Sequence, residues 1–303
     1  MNDRVLGATV QTQGGAHREI RWPLRHMVLA GAHWPSSDSA TAGAPVVMIH
    51  GWLDNCLTFS RLAPMLTQLG DVYAIDMAGH GHSDHRPPGQ SYLLVDYVAD
   101  LAELLDTHFD GPVRLVGHSL GGIVAMIYTA AFPEKVECLT AIDSFGPVSR
   151  PASQVIPQLR SALLKRQDGS GLGPLYASIE DAARARAGGL SPLSNEAAHL
   201  LVPRNLRQEE DGYRWRSDPR LRHPSMIMLD EEQVMAVVAS LTTRMLLLVA
   251  EGGILAKSDR LKARTGAVKA LQVLTVPGSH HCHLDGEVTP VADSIRDFIQ
   301  GGA

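Results

Sequence analysis

Short apolar runs alternate along this chain with stretches whose apolar residues recur at helical spacing, which is the pattern of an α/β protein with a mostly parallel sheet and helices on both faces. The runs predict eight strands, near 19–22 and 27–33 and then over 46–49, 72–75, 113–116, 139–142, 246–249 and 271–276. Helical periodicity covers 97–109, 123–131 and 288–299. The rhythm breaks once. The connection from Ile142 to Leu246 is far longer than a crossover requires; it opens with Gly146-Pro147 and Pro151 and holds helical stretches over 154–165, 179–187, 195–202 and 231–241. Residues 1–145 and 242–303 therefore read as the core, and 146–241 as a helical cap inserted between the sixth and seventh strands. A cap so placed stands over the carboxyl ends of the strands, where open α/β sheets keep their ligand sites.

Composition changes this picture little. At 303 residues and 45% hydrophobic content the chain suffices for one large domain with an insertion. Its net charge of -5, from 27 basic and 32 acidic residues well mixed along the sequence, leaves no footprint for nucleic acid or an anionic membrane, so a small or neutral ligand is expected. Residues 1–13 lack the basic-then-apolar order of a secretion signal, and the apolar runs are too short to span a bilayer, so a cytoplasmic location is expected. Cys56, Cys138 and Cys282 are odd in number, widely spaced and without a CxxC pair, which suits buried or incidental thiols rather than disulfides or zinc. Nothing separates a monomer from a homodimer.

The candidate chemistry begins at Gly117-His118-Ser119-Leu120-Gly121-Gly122, which directly follows an apolar strand and precedes a helical stretch. A serine in that position sits on a sharp strand-to-helix turn, with Gly117 and Gly121 allowing strained backbone and close packing of helix on strand. A serine hydroxyl needs a base. After the last strand the chain reads Val276-Pro277-Gly278-Ser279-His280-His281-Cys282-His283-Leu284-Asp285, and His280 is the expected base, with His281 and His283 packing or capping. Three histidines on one loop without a paired carboxylate cluster do not make a metal site, and no cofactor is required. An oxyanion would be met by the backbone N–H of Leu120 and by that of Trp52 in the loop His50-Gly51-Trp52. His50, Gly51, Trp52 and Phe145 are the expected substrate contacts.

Four motifs together resemble the α/β-hydrolase fold superfamily and, within it, the serine hydrolase-like proteins. They are His50-Gly51-Trp52-Leu53-Asp54-Asn55, Asp76-Met77-Ala78-Gly79-His80-Gly81-His82-Ser83-Asp84, the serine turn and the 278–284 loop. The first of these and the segment Tyr213 to Arg220 point to the narrower group. Asp76, His80, His82 and His85 then read as structural. The resemblance implies a triad acid, commonly on the turn after the penultimate strand, where this chain has Ala250-Glu251-Gly252-Gly253 with glycine at the expected aspartate. Asp143, at the end of an earlier strand, resembles the acid of superfamily members that place it there; Glu251 is an alternative, and Asp259 or no acid at all remain open. The expected activity is a carboxylesterase acting on small to medium esters through an acyl-enzyme, with thioesterase, lactonase, amidase or C–C bond hydrolase chemistry using the same residues. A ligand sensor with little or no turnover is the alternative from another class, favoured if no acid reaches His280.

Overall fold

The computed structural model describes residues 5–12, 15–37 and 43–301. Among these the strands are β1 (Val5–Thr12), β2 (Gly15–Pro23), β3 (Val28–Trp34), β4 (Val46–Ile49), β5 (Val72–Ile75), β6 (Val113–His118), β7 (Val136–Ile142), β8 (Leu206–Glu209), β9 (Gly212–Trp215), β10 (Met245–Gly252) and β11 (Leu271–Ser279). The helices are α1 (Ala63–Leu66), α2 (Leu94–His108), α3 (Leu120–Ala131), α4 (Val155–Asp168), α5 (Ile179–Ala187), α6 (Asn195–Asn205), α7 (Glu231–Ala239), α8 (Leu261–Thr265) and α9 (Thr289–Gln300). Nine strands form one sheet in the order β1-β2-β3-β5-β4-β6-β7-β10-β11, antiparallel from β1 to the β3–β5 pair and parallel beyond it. The eight expected strands are all present. The ninth, β1, has no continuous apolar run to announce it, and of the segment 1–13 the residues 1–4 and 13 lie outside the described residues.

Strand side chains divide by parity between two apolar faces, as expected for strands covered on both sides. Val47, Ile49, Tyr73, Ile75, Met245 and Leu247 join one cluster with Leu101 and Leu104 of α2 and Val124 and Met126 of α3. Their neighbours Val46, Met48, Val72, Ala74, Leu246 and Leu248 join the other with Leu66 of α1 and Val291, Ile295 and Ile299 of α9. Burying each such aliphatic side chain contributes about 1.5–3 kcal/mol, so the helices are fixed on the sheet chiefly by this packing. The three cysteines are free and buried; burial pushes the Cys138 thiol up to about 11 and Cys282 to about 12.

Between β7 and β10, α4 to α7 lie close to the expected spans, and the β8–β9 hairpin appears where none was expected. Ala182, Ala183, Ala197 and Ala198 let α5 and α6 pack closely around Leu201 and Val202, and Leu284 from the loop after β11 completes that cluster. Ser194 Oγ caps α6 by accepting from Ala197 N–H at 3.1 Å. Helix α7 differs from its neighbours: Val234 and Val238 join the cluster of α2 and α3.

Candidate active site

Three non-glycine residues among those described hold positive φ, and all three lie in one place: Leu53 at 65°, Ser119 at 50° and Asp143 at 44°. Each such conformation costs roughly 1–3 kcal/mol and persists only where the surroundings over-determine it. Ser119 occupies the turn from β6 into α3. Its N–H donates to Ile142 O at 3.2 Å, and its carbonyl accepts from Ser144 Oγ at 2.6 Å. A side chain at Gly121 would overlap the carbonyls of Ile49 and His50, so only glycine lets α3 approach β4 this closely. The N–H of Leu120 is the first of α3, where helical N–H groups have no intrahelical acceptor.

Asp143 follows β7, and its Oδ2 accepts from His280 Nδ1–H at 2.6 Å. The same oxygen accepts from Ile254 N–H at 2.7 Å, and Asp143 N–H donates to Leu248 O at 2.7 Å, so backbone groups hold the carboxylate from the β10 side. Gly253 is the reason there is room: a Cβ at that position would overlap the Asp143 carboxylate. The space vacated by the missing aspartate is filled by Asp143. Glu251 and Asp259 are exposed and make no hydrogen bond to His280. Ser119 Oγ has no hydrogen bond among the described residues; in unliganded enzymes nucleophile–base contacts are often long and tighten only with substrate.

The loop after β4 turns at Gly51–Asp54, closed by Asp54 N–H to Gly51 O at 3.2 Å, with Leu53 in the left-handed third position of the turn. A side chain added at Gly51 would lie 3.2 Å from Ser119 Cβ, which puts this turn directly against the serine. The Trp52 indole donates to Leu221 O at 3.0 Å. His50, expected among substrate contacts, is fully buried and spent on the loop: Nδ1–H donates to Gly51 O at 2.7 Å while Nε2 accepts from Met77 N–H at 3.0 Å. Burial holds its pKa below the usual imidazole range. Phe145, likewise expected there, is 3% exposed within the core cluster. A cavity of about 620 Å³ opens between Trp52 and Leu53 and the inserted segment; none of His50, Gly51, Phe145, Ser119 and His280 lines it, and Trp52 and Leu53 are its link to the serine turn.

From sequence, His118, Asp54, Thr58 and Arg186 have no role of their own, whereas His281 and His283 are expected to pack or cap. His118 Nε2–H donates to the backbone carbonyl of His280 at 2.9 Å, tying the serine turn to the histidine loop. His281 donates to Asp54 Oδ2 at 3.0 Å and Arg186 of α5 to Asp54 Oδ1 at 2.8 Å, while His283 Nε2 lies 2.8 Å from Thr58 Oγ1. Burial alone would raise the Asp54 pKa, yet His281 and Arg186 hold it well below the carboxylate range. Asp54, His118 and His281 bring potential metal-ligating atoms within 4.8 Å of one another, but the Asp54 carboxylate is already occupied by Arg186 and His281. Asp76 is structural as read: it accepts from Cys56 N–H at 2.7 Å, His82 N–H at 2.8 Å and Arg204 Nε at 2.8 Å, and Arg204 reaches on to Glu19 at 2.6 Å. His80 bonds Ala78 O within the same loop, while His85 reaches Arg216 O in the inserted segment, both at 3.0 Å. The sequence marks Asp54 and Asp76 through their motifs, whereas Arg186 and Arg204 sit on ordinary helices far along the chain.

No helix among the described residues is long and apolar enough to cross a membrane. A family profile for the alpha/beta hydrolase fold matches residues 44–225. The chain is 29% identical to a "Serine hydrolase-like protein" of Danio rerio, covering 96% of this chain and 91% of that one. It is 32% identical to a "Probable serine hydrolase" of Drosophila melanogaster, over 84% and 81%. A solved hypothetical protein of Pseudomonas aeruginosa PAO1 superposes with a TM-score of 0.86 at 38% identity, over 93% of this chain and 99% of that one. A fold shared with a solved relative, a profile matching residues 44–225 and likeness over most of their length to these serine hydrolase-like proteins agree: the chain belongs to the alpha/beta hydrolase fold family, in its serine hydrolase-like group.

Proposed function

We propose that this protein is a carboxylesterase that cleaves small to medium carboxylic esters through an acyl-enzyme. The observation that carries the reading is the 2.6 Å hydrogen bond from His280 to Asp143 in the space left by Gly253, beside the strained Ser119 turn. In this mechanism Ser119 Oγ attacks the acyl carbon and His280 Nε2 takes its proton, then returns it to the leaving alcohol. Asp143 fixes the tautomer of His280 and stabilises the imidazolium. The N–H groups of Trp52 and Leu120 receive the oxyanion, with the N-terminus of α3 favouring the developing charge. His280 then activates a water to release the acid. The inserted segment serves as the cap, and the cavity beneath it receives the substrate.

The test is labelling of the wild type and Ser119→Ala with a fluorophosphonate, together with turnover of p-nitrophenyl esters of graded acyl length. Labelling and turnover in the wild type, both lost in a folded Ser119→Ala, is the expected result. A wild type that neither labels nor turns over would replace this reading with a ligand sensor on a hydrolase scaffold.

A further inference from the structure

The cavity described above has apolar walls and a one-sided charge. Trp52 and Leu53 form its core side, and Tyr176 and Trp215 face them, their rings packed edge to face at 5.5 Å. Four basic residues, Lys165, Arg186, Arg222 and His223, share the lining, and no aspartate or glutamate does. Arg186 is committed to Asp54 at 2.8 Å. Lys165 and Arg222 have no ion pair among the described residues, and the His223 ring bonds Ser170 Oγ at 2.7 Å. Desolvation first, then Lys165 and Arg166, lower the His223 pKa, with Asp218 opposing them. Lys165 and Arg222 are thus the unpaired cations of this lining among the described residues, in a chain whose net charge is -5.

We infer that the cavity binds an anionic group, so that the substrates are esters or thioesters whose acyl or leaving portion carries a carboxylate or phosphate, held by Arg222 and Lys165. Lys165 and Arg222 are both solvent-exposed, so an anion would be held at the solvent-facing side of the cavity by charge-assisted hydrogen bonds, with the apolar walls beside it. The aromatic pair then packs the chain that joins the anion to the carbonyl at Ser119. This inference rests on the ester-cleaving reading of Ser119, and its test separates the two.

The measurement is the ratio of kcat/KM for p-nitrophenyl hydrogen adipate over its neutral methyl ester, and for hexanoyl coenzyme A over the neutral hexanoyl thioester of N-acetylcysteamine. The first pair reads a carboxylate and the second a phosphate. At least one ratio should exceed about tenfold in the wild type, a discrimination of the size charge-assisted contacts supply, and fall toward one in Lys165→Gln/Arg222→Gln. Lys269→Gln, which removes an exposed cation far along the chain from these residues, should keep it. Ratios near one in both pairs, or a preference that survives the double substitution, would overturn the inference while leaving the hydrolase reading intact. If no ester is cleaved, quenching of Trp52 and Trp215 fluorescence by the non-hydrolysable N-phenyl adipamate still reads the site: binding lost in the double variant sustains it, and no binding overturns it.

Discussion

Asp143 and residue 253 compete for one volume, and that competition yields the most direct test of the candidate triad. Asp143→Asn should lower kcat by about 10⁴, because the amide no longer fixes the imidazole tautomer, while Glu251→Gln and Asp259→Asn should change it little. Gly253→Ala keeps every proposed catalytic group but thrusts a methyl into the Asp143 carboxylate, and a displaced His280 should then lower kcat on the order of 10²-fold. Steady-state kinetics on the four variants decides: equal, small effects would remove Asp143 from the reaction. At this scale the sequence was legible wherever a motif carried the information. Ser119 and His280 stand in recognisable surroundings, and Asp143 could be named as a candidate because it ends a strand. Its bond to His280 could not be read, since the two are 137 positions apart and the deciding residue is a glycine whose meaning is the space it leaves.

At the scale of elements, two arginines carry ion pairs from the insertion onto buried aspartates of the core, Arg186 of α5 on Asp54 and Arg204 of α6 on Asp76 and Glu19. Asp76 is fully buried, so removing its partner strands a charge. Arg204→Met should cost about 3–5 kcal/mol, whereas Arg207→Ala, which removes an exposed pair with Glu209, should cost less than about 1 kcal/mol. Urea denaturation measures both, and a small loss at Arg204 would mean that the backbone donors at Cys56 and His82 satisfy Asp76 unaided. The helices of the insertion were visible in periodicity because each has an apolar stripe. The β8–β9 hairpin was not, since Leu206–Glu209 and Gly212–Trp215 are short, largely polar and partly exposed, and β9 bridges further to Tyr176, distant in sequence. The end of the insertion misleads in another way: α7 reads as one more cap helix, but Val234 and Val238 turn it onto the core.

Across the whole molecule, burial of titratable groups sets a direction for stability against pH. His50, His80, His118 and His283 are buried with pKa values below the ordinary imidazole range, His80 at about 3, chiefly through desolvation. The unfolded chain takes up protons on these residues below about pH 6.5 and the folded chain does not, so stability falls as pH drops through that range. Glu19, Asp54 and Asp76 add a second loss. Burial pushes each carboxyl up, but Arg204, Arg186 and nearby histidines outweigh it and depress the folded pKa, so their stabilisation, complete above about pH 4, disappears on further acidification. The urea midpoint should thus decline below about pH 6.5 and more steeply below about pH 4; a midpoint flat from about pH 7 to about pH 5 would contradict neutral burial of the histidines. Net charge taken over the whole chain pointed to a small or neutral ligand, and it could not reveal that cations gather at the one cavity beside Trp52.

The left-handed backbone at Leu53, Ser119 and Asp143 also bears on how this chain can change. Residues that relax such geometry, glycine or asparagine, are available by substitution at each position, and each exchange recovers conformational energy, at Ser119 and Asp143 by removing a group of the proposed reaction. A library sorted by heat resistance alone would therefore drift toward inert proteins, and variants that combine robustness with turnover have to be sought in the helical faces and surface loops away from these three positions.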